Sequence, residues 1–230
     1  AEMIDAARRL QAGGADLLVV CTNTMHKLAP QLEAACPLPL LHIADPTADA
    51  ILRTGVRTVG LLGTAFTMEE DFYRGRLSER FGLEVLVPDA DDRRDVHDII
   101  YHELIAGVVS EASRQVYVEV IQRLDARGAE AIILGCTEIM LLVREQDSPV
   151  PLFDTTTLHA RAAVDAALAA GRIPSHREGR CPSACPRLAP ELVAFRRVEQ
   201  KQSAMARFLQ RPSRARFDST TVAGGPATPT

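Results

Sequence analysis

An α/β fold is predicted: two similar lobes, each a parallel sheet flanked by helices, related by a pseudo-twofold axis with the active site between them. Three observations carry this. Short apolar runs alternate with amphipathic or capped stretches through residues 1–170, the pattern of parallel strand–helix units. Residues 9–22, RLQAGGADLLVVCT, recur as residues 123–137, RLDARGAEAIILGCT, so one helix–strand–cysteine unit occurs twice. The echo continues past the cysteines, where 40–43 leads into Asp45-Pro46-Thr47 and 151–153 leads into Asp154-Thr155. These matches assign 1–42 plus 150–170 to a first lobe and 43–149 to a second. The first lobe has few strands for its sheet, so it is expected to be N-terminally incomplete.

Residues 1–13 read as a helix with Met3, Ile4, Ala7 and Leu10 on one face, ended by Gly13-Gly14. A buried strand is expected over Asp16–Val20, then a helix from Met25 to Ala35 that Pro37 and Pro39 end. Leu40–Ile43 is a short strand, and Pro46 opens a helix that Gly55 closes. Thr58–Leu62 is an apolar strand, followed by a helix over Met68–Phe81 with Thr67 as its cap. Leu83–Val87 is a strand. The acidic turn at Asp89 opens a helix reaching about Val108, and a second helix runs from Ser110 to Ala126. Ala131–Leu134 is the strand before Cys136. Pro151–Phe153 is a strand, and Asp154 with Thr155–Thr157 caps a last helix to Ala170.

Composition narrows the class. The chain has 230 residues, 47% of them hydrophobic, enough for a real core. No apolar run approaches a membrane span, and from Ala1-Glu2-Met3-Ile4 no secretory leader is expected. Five cysteines without dense spacing argue against a disulfide scaffold and for a reducing, cytoplasmic compartment. The net charge of −4 is uneven: residues 171–230 carry 11 Lys+Arg against 4 Asp+Glu, which leaves the body at −11. An acidic body does not suit nucleic acid. The tail, rich in Pro, Arg, Ser, Gly and Thr, is expected to be basic and largely disordered, with one amphipathic helix over 192–209. Its Cys181 and Cys185 lack partners at zinc spacing, and no metal site is expected.

The chemistry centres on Cys21 and Cys136. A cysteine at a strand end before a helix lies near amide donors and a positive dipole end, both of which favour the thiolate. Two such cysteines in facing lobes can stand on opposite sides of one carbon. That arrangement suits removal of a proton from one face and its return to the other, hence racemisation or epimerisation, with one residue thiolate while its partner is thiol. The intermediate needs its carboxylate held, and the hydroxyls and backbone amides of Thr22, Asn23, Thr24, Thr64, Thr67 and Thr137 are the candidate groups. Glu138 has two readings, a helix cap or a contact to the substrate amine. Nothing resembles a pyridoxal site or a phosphate-cradling loop, so no cofactor is expected.

The stretches Cys21-Thr22-Asn23-Thr24-Met25-His26, Gly63-Thr64-Ala65-Phe66-Thr67 and Gly135-Cys136-Thr137-Glu138 together resemble the aspartate/glutamate racemase family, and most closely its aspartate-racemase-like, broad-specificity amino-acid racemases. The resemblance runs from residue 1 to about 170. It implies a two-lobed α/β fold, independence of pyridoxal phosphate, Cys21 and Cys136 as the two bases, and binding by Asn23, Thr24, Thr64 and Thr137. Family members are commonly dimers, so a homodimer acting on a small-molecule amino acid is expected. The family's initial strand and Gly-rich, Ser-bearing loop are not found here. Ile105 stands where acid-specific relatives often carry a basic residue, which opens neutral amino acids as substrates.

Other residues draw attention. His26 is read as orienting a thiolate or capping a helix, His42 and His159 as structural hydrogen-bonders, and His97 and His102 as lying on a solvated face. Two competing functions share the frame: a cysteine-dependent isomerase or decarboxylase of the maleate isomerase type, and a non-catalytic amino-acid-binding protein.

Overall fold

The computed structural model describes residues 1–170. The expectations for the tail, including the 192–209 helix, Cys181 and Cys185, lie outside the described residues.

Among the described residues, six strands and nine α-helices follow in order: α1 Glu2–Ala12, β1 Leu18–Val19, α2 Ala29–Ala35, β2 Leu40–Leu41, α3 Ala44–Arg53, β3 Thr58–Gly63, α4 Ala65–Glu69, α5 Asp71–Gly75, β4 Glu84–Leu86, α6 Ala90–His102, α7 Glu111–Ala126, β5 Ala131–Gly135, α8 Ile139–Leu142, β6 Leu152–Asp154 and α9 Thr155–Ala170. All strand pairs are parallel. They form a two-stranded sheet, β1–β2, and a four-stranded sheet in the order β4–β3–β5–β6.

The larger sheet is buried on both faces, which explains why its strands read as continuous apolar runs. Leu62, Ile132 and Leu134 face α6 and α7, packing on Val96, Ile100, Tyr117, Ile121 and Leu124. Val59, Leu61, Ala131 and Ile133 face the opposite way, onto Ile43, Ile51, Tyr73 and Leu77. Strand alternation therefore sorts neighbouring residues into two separate cores. Gly60 permits the first: a Cβ there would stand 2.6 Å from Ile132 Cδ1 and 3.0 Å from Leu124 Cδ1. A third, smaller cluster joins Ala7, Leu18, Val20, Leu32 and Cys36 beneath the two-stranded sheet.

The sequence repeat is visible in the backbone. After α1, Gly14 takes φ 86°, its N–H bonds to Gln11 O at 3.0 Å, and Ala15 N–H reaches back to Leu10 O at 3.1 Å. After α7, Gly128 takes φ 99°, its N–H bonds to Asp125 O at 2.8 Å, and Ala129 N–H reaches Leu124 O at 3.0 Å. Matched residues make matched bonds, because a left-handed glycine closes both helices in the same way.

Several expectations are corrected. β6 pairs with β5, so the strand assigned with the first lobe joins the sheet of the second. The reason is packing: Leu152 finds a place on one core and Phe153 on the other. The helix cap after β3 is Thr64, not Thr67. Thr64 holds extended backbone (φ −66°, ψ 159°), and its hydroxyl accepts from Thr67 N–H. The single helix expected over 68–81 breaks at Glu70 (φ −81°, ψ 149°), and α5 then widens into a π turn over Arg76–Arg80. Thr24–Leu28 forms a 3-10 turn before α2 instead of continuous α-helix. Leu10 is exposed, since α1 packs inward chiefly through Ala7.

Candidate active site

Both cysteines emerge where parallel strands end. Cys21 is exposed and follows β1, while Cys136 is half-buried and follows β5. Strand ends of this polarity are where α/β sheets place ligands. A tight turn centres on Cys21, closed by Thr22 N–H to Val20 O at 2.9 Å.

Hydrogen bonds tie the two cysteine-bearing ends together. Asn23 Nδ2 donates to Thr155 Oγ1 at 3.1 Å, and Thr155 Oγ1 donates to Leu134 O at 2.9 Å, two residues before Cys136. Thr24, Thr64 and Thr67 form a hydroxyl triangle, with Oγ1 separations of 3.1 Å (24–64), 3.4 Å (24–67) and 3.2 Å (64–67). Asn23, Thr64 and Thr67 are buried, whereas Thr22, Thr24, Thr137 and Glu138 are half-buried. Asn23 Oδ1 is buried with no partner among the described residues. A buried acceptor left unpaired is costly.

Glu138 stands at the N-cap position of α8 without acting as a side-chain cap. Its side chain makes no capping bond to α8, and Cys136 Sγ donates to its Oε2 at 2.9 Å. Burial pushes the Cys136 thiol up, and the Glu138 charge and hydrogen bond push it further, so Cys136 stands as the thiol at neutral pH. Replacing Glu138 by glutamine removes the charge and leaves burial. We expect the pH at which iodoacetamide modifies Cys136, followed by peptide mass spectrometry, to fall by about one unit or more. An unchanged profile would mean that burial alone sets the thiol.

The histidines are mostly structural, as the sequence suggested for His42 and His159 but not for His97. His97 is half-buried rather than on a solvated face. Its Nδ1 accepts from Ala65 N–H at 3.1 Å, steadying the start of α4, and its ring packs beside Phe66 and Tyr101. His102 is exposed, as expected, and bonds Asp98 O. His26, His42 and His159 come from three separate segments into one buried cluster, with ring centroids 4.4 Å apart for 26–42 and 5.8 Å for 26–159.

Each ring of the cluster holds the β2–α3 junction. Ile43 N–H donates to His26 Nε2 at 3.2 Å, Ala44 N–H donates to His42 Nδ1 at 3.2 Å, and His159 Nε2 donates to Leu41 O at 2.9 Å. Burial lowers all three; His42 falls to about 2, helped by His26, Arg76, His159 and Arg80. Asp45, the nearby carboxylate, is taken by Arg76 at 2.5 and 2.7 Å and by Arg80 at 3.5 Å. The unfolded chain binds protons near pH 6.5 that the folded protein refuses. Stability is therefore complete above that pH and is lost as pH falls. His42 alone should contribute a loss of about 2 kcal/mol between pH 7 and pH 5. Urea midpoints at the two pH values check this, and equal midpoints would contradict neutral, buried histidines.

Among the described residues, no group of three His, Cys, Asp or Glu side chains is arranged to hold a metal ion, and no helix is long and apolar enough to cross a membrane.

Comparisons with known proteins converge on one family. The profile for Asp/Glu/Hydantoin racemase matches residues 1–163. A crystal structure from Yersinia pestis, assigned as an Asp/Glu racemase, is 57% identical with a TM-score of 0.70, over 73% of this chain and 73% of that one. PH1733 from Pyrococcus horikoshii OT3, an aspartate racemase homologue, is 35% identical with a TM-score of 0.65, again over 73% of each chain. The broad specificity amino-acid racemase RacX of Bacillus subtilis is 26% identical over 175 residues, 73% of this chain and 71% of that protein. The parallel α/β architecture, the paired strand-end cysteines and the match over residues 1–163 agree, and the chain belongs to the Asp/Glu/Hydantoin racemase family.

Proposed function

We propose that the protein is a cofactor-independent amino-acid racemase in which Cys21 and Cys136 exchange the α-hydrogen from opposite faces of the substrate. The observation that carries this reading is the relay Asn23–Thr155–Leu134, which ties the segment after Cys21 to the strand that ends at Cys136. A second support is the Cys136 thiol, which burial and Glu138 keep protonated and so suit to giving a proton; Cys21 is assigned as its partner base.

The proton accounting is direct. The Cys21 thiolate takes the α-hydrogen, and the electron pair left on the α-carbon spreads into the substrate carboxylate. The Cys136 thiol then gives its proton to the other face. Cys21 ends as thiol and Cys136 as thiolate, and Glu138 at 2.9 Å is placed to relay a proton back from solvent. The threonine triangle supplies donors for the carboxylate, with Thr22 and Thr137 flanking the sulfurs, Asn23 beside them, and Glu138 as the acceptor for the ammonium group. Ile105 in place of a basic residue favours amino acids beyond aspartate and glutamate. The homodimer and the cytoplasmic location belong to this reading.

Proton NMR in D2O tests it, first with L-aspartate and then with a panel of neutral amino acids. Loss of the α-proton signal with growth of the D-enantiomer is expected for at least one of them. Binding without exchange, across the panel, would make the protein an amino-acid-binding module and overturn the proposal.

A further inference from the structure

We propose that His26 is a positioning residue for Cys21: as the neutral imidazole with its proton on Nδ1, it fixes the turn that presents the sulfur. The inference rests on the reading of Cys21 as one of the two bases. His26 makes no hydrogen bond to either sulfur; its ring reaches Thr22, a candidate binding residue, only at the carbonyl oxygen. It acts through the backbone of Thr22.

The geometry assigns the tautomer. Ile43 N–H points at His26 Nε2 from 3.2 Å, so that nitrogen is an acceptor and carries no hydrogen. The proton is then on Nδ1, which lies 2.7 Å from Thr22 O and donates to it. Thr22 is held at both ends, its N–H by Val20 O at 2.9 Å and its carbonyl by His26. Cys21 is the middle residue of that three-residue turn, so its backbone has little freedom once Thr22 is pinned. The ring itself is buried and anchored to Ile43 at the start of α3, a site remote in sequence from the cysteine. His26 thus locks the strand-end turn to the body of the fold.

Only the neutral ring serves. A proton on Nε2 would set it against Ile43 N–H, donor against donor. The groups facing the cluster give a cation no counter-charge: His42 from the β2–α3 junction, His159 from α9, and Arg76 and Arg80 from the π turn, with Asp45 already committed to both arginines.

Two substitutions separate the ring's two bonds. In His26→Asn the amide nitrogen can replace Nδ1 and donate to Thr22 O, but nothing reaches Ile43. In His26→Gln the amide oxygen can replace Nε2 and accept from Ile43 N–H, but the bond to Thr22 O is lost. Amide hydrogen exchange at Thr22, read by NMR, reports the turn whether or not the protein turns over substrate. The steady-state constants report catalysis. We expect His26→Gln to speed Thr22 exchange and lower kcat by about tenfold or more, because the turn that presents the sulfur is no longer pinned. His26→Asn should stay close to the parent in both, even though it melts at a lower temperature. A purely structural histidine would lower stability in both variants without this split. Equal kcat losses in the two variants, or Thr22 protection intact in His26→Gln, would overturn the proposal. Absence of turnover in the parent chain as well would count against the racemase reading, and Thr22 exchange would still decide the role of His26.

Discussion

Cys21→Ser and Cys136→Ser will each slow racemisation by about 10³-fold or more, within the range that removal of a positioned general acid or base costs. A serine hydroxyl holds its proton far more tightly than a thiol, so it neither abstracts the α-hydrogen at neutral pH nor yields its own to a carbanion. The two variants should fail differently. Each keeps one functional face, so each can still remove and return hydrogen on that face without inversion. In D2O, one variant will wash deuterium into the L-amino acid only and the other into the D-amino acid only. A single-base enzyme, such as a cysteine-dependent decarboxylase, would show one silent variant and one nearly normal one. Exchange of both enantiomers by either variant would remove the two-base mechanism altogether.

Much of this site was legible because its signals are local. The 9–22 and 123–137 repeat placed Cys21 and Cys136 at equivalent strand ends, and the matched bonds at Gly14 and Gly128 show that the repeat is physical. Strands β3 and β5 were legible because both faces are buried, which leaves unbroken apolar runs. Contacts between distant segments were not. His97 meets Ala65 across 32 residues, and His159 meets Leu41 across 118, with no periodicity to announce either. The choice between Thr64 and Thr67 as cap turned on backbone geometry, which two threonines three residues apart cannot reveal. Glu138 looked like a cap because it precedes an apolar turn. Its carboxylate instead meets the sulfur two residues back, because the chain between β5 and α8 is a bend and not a helix.

The largest effect on stability should come from a methyl group. Gly135→Ala is expected to destabilise the fold by about 3 kcal/mol, the upper end for overpacking a dense interior. The added Cβ would stand 2.8 Å from Leu62 O and 3.0 Å from Leu61 Cδ1. The first of these is backbone of the neighbouring strand, which cannot swing aside as a side chain would. Gly63 and Gly135 are register partners at the tips of β3 and β5, and a Cβ on Gly63 would in turn lie 3.0 Å from Gly135 O. Neither partner has a side chain, and the space a Cβ would need is already taken by the facing strand. Those tips carry Thr64 and Cys136, so forcing them apart moves a candidate donor away from a candidate base. Activity should therefore fall further than the stability loss alone explains, since a displacement of about 1 Å can cost about 10²-fold. Gly75→Ala is the matched control. Gly75 lies in α5, and a Cβ there would meet nothing nearer than Asp71 Cβ at 3.6 Å, so helix propensity should raise stability by about 0.5–1 kcal/mol. Urea denaturation of both variants decides the point. A Gly135→Ala protein as stable as the parent would mean that the strand tips have slack, and that the glycine pair is not what sets the distance between Thr64 and Cys136.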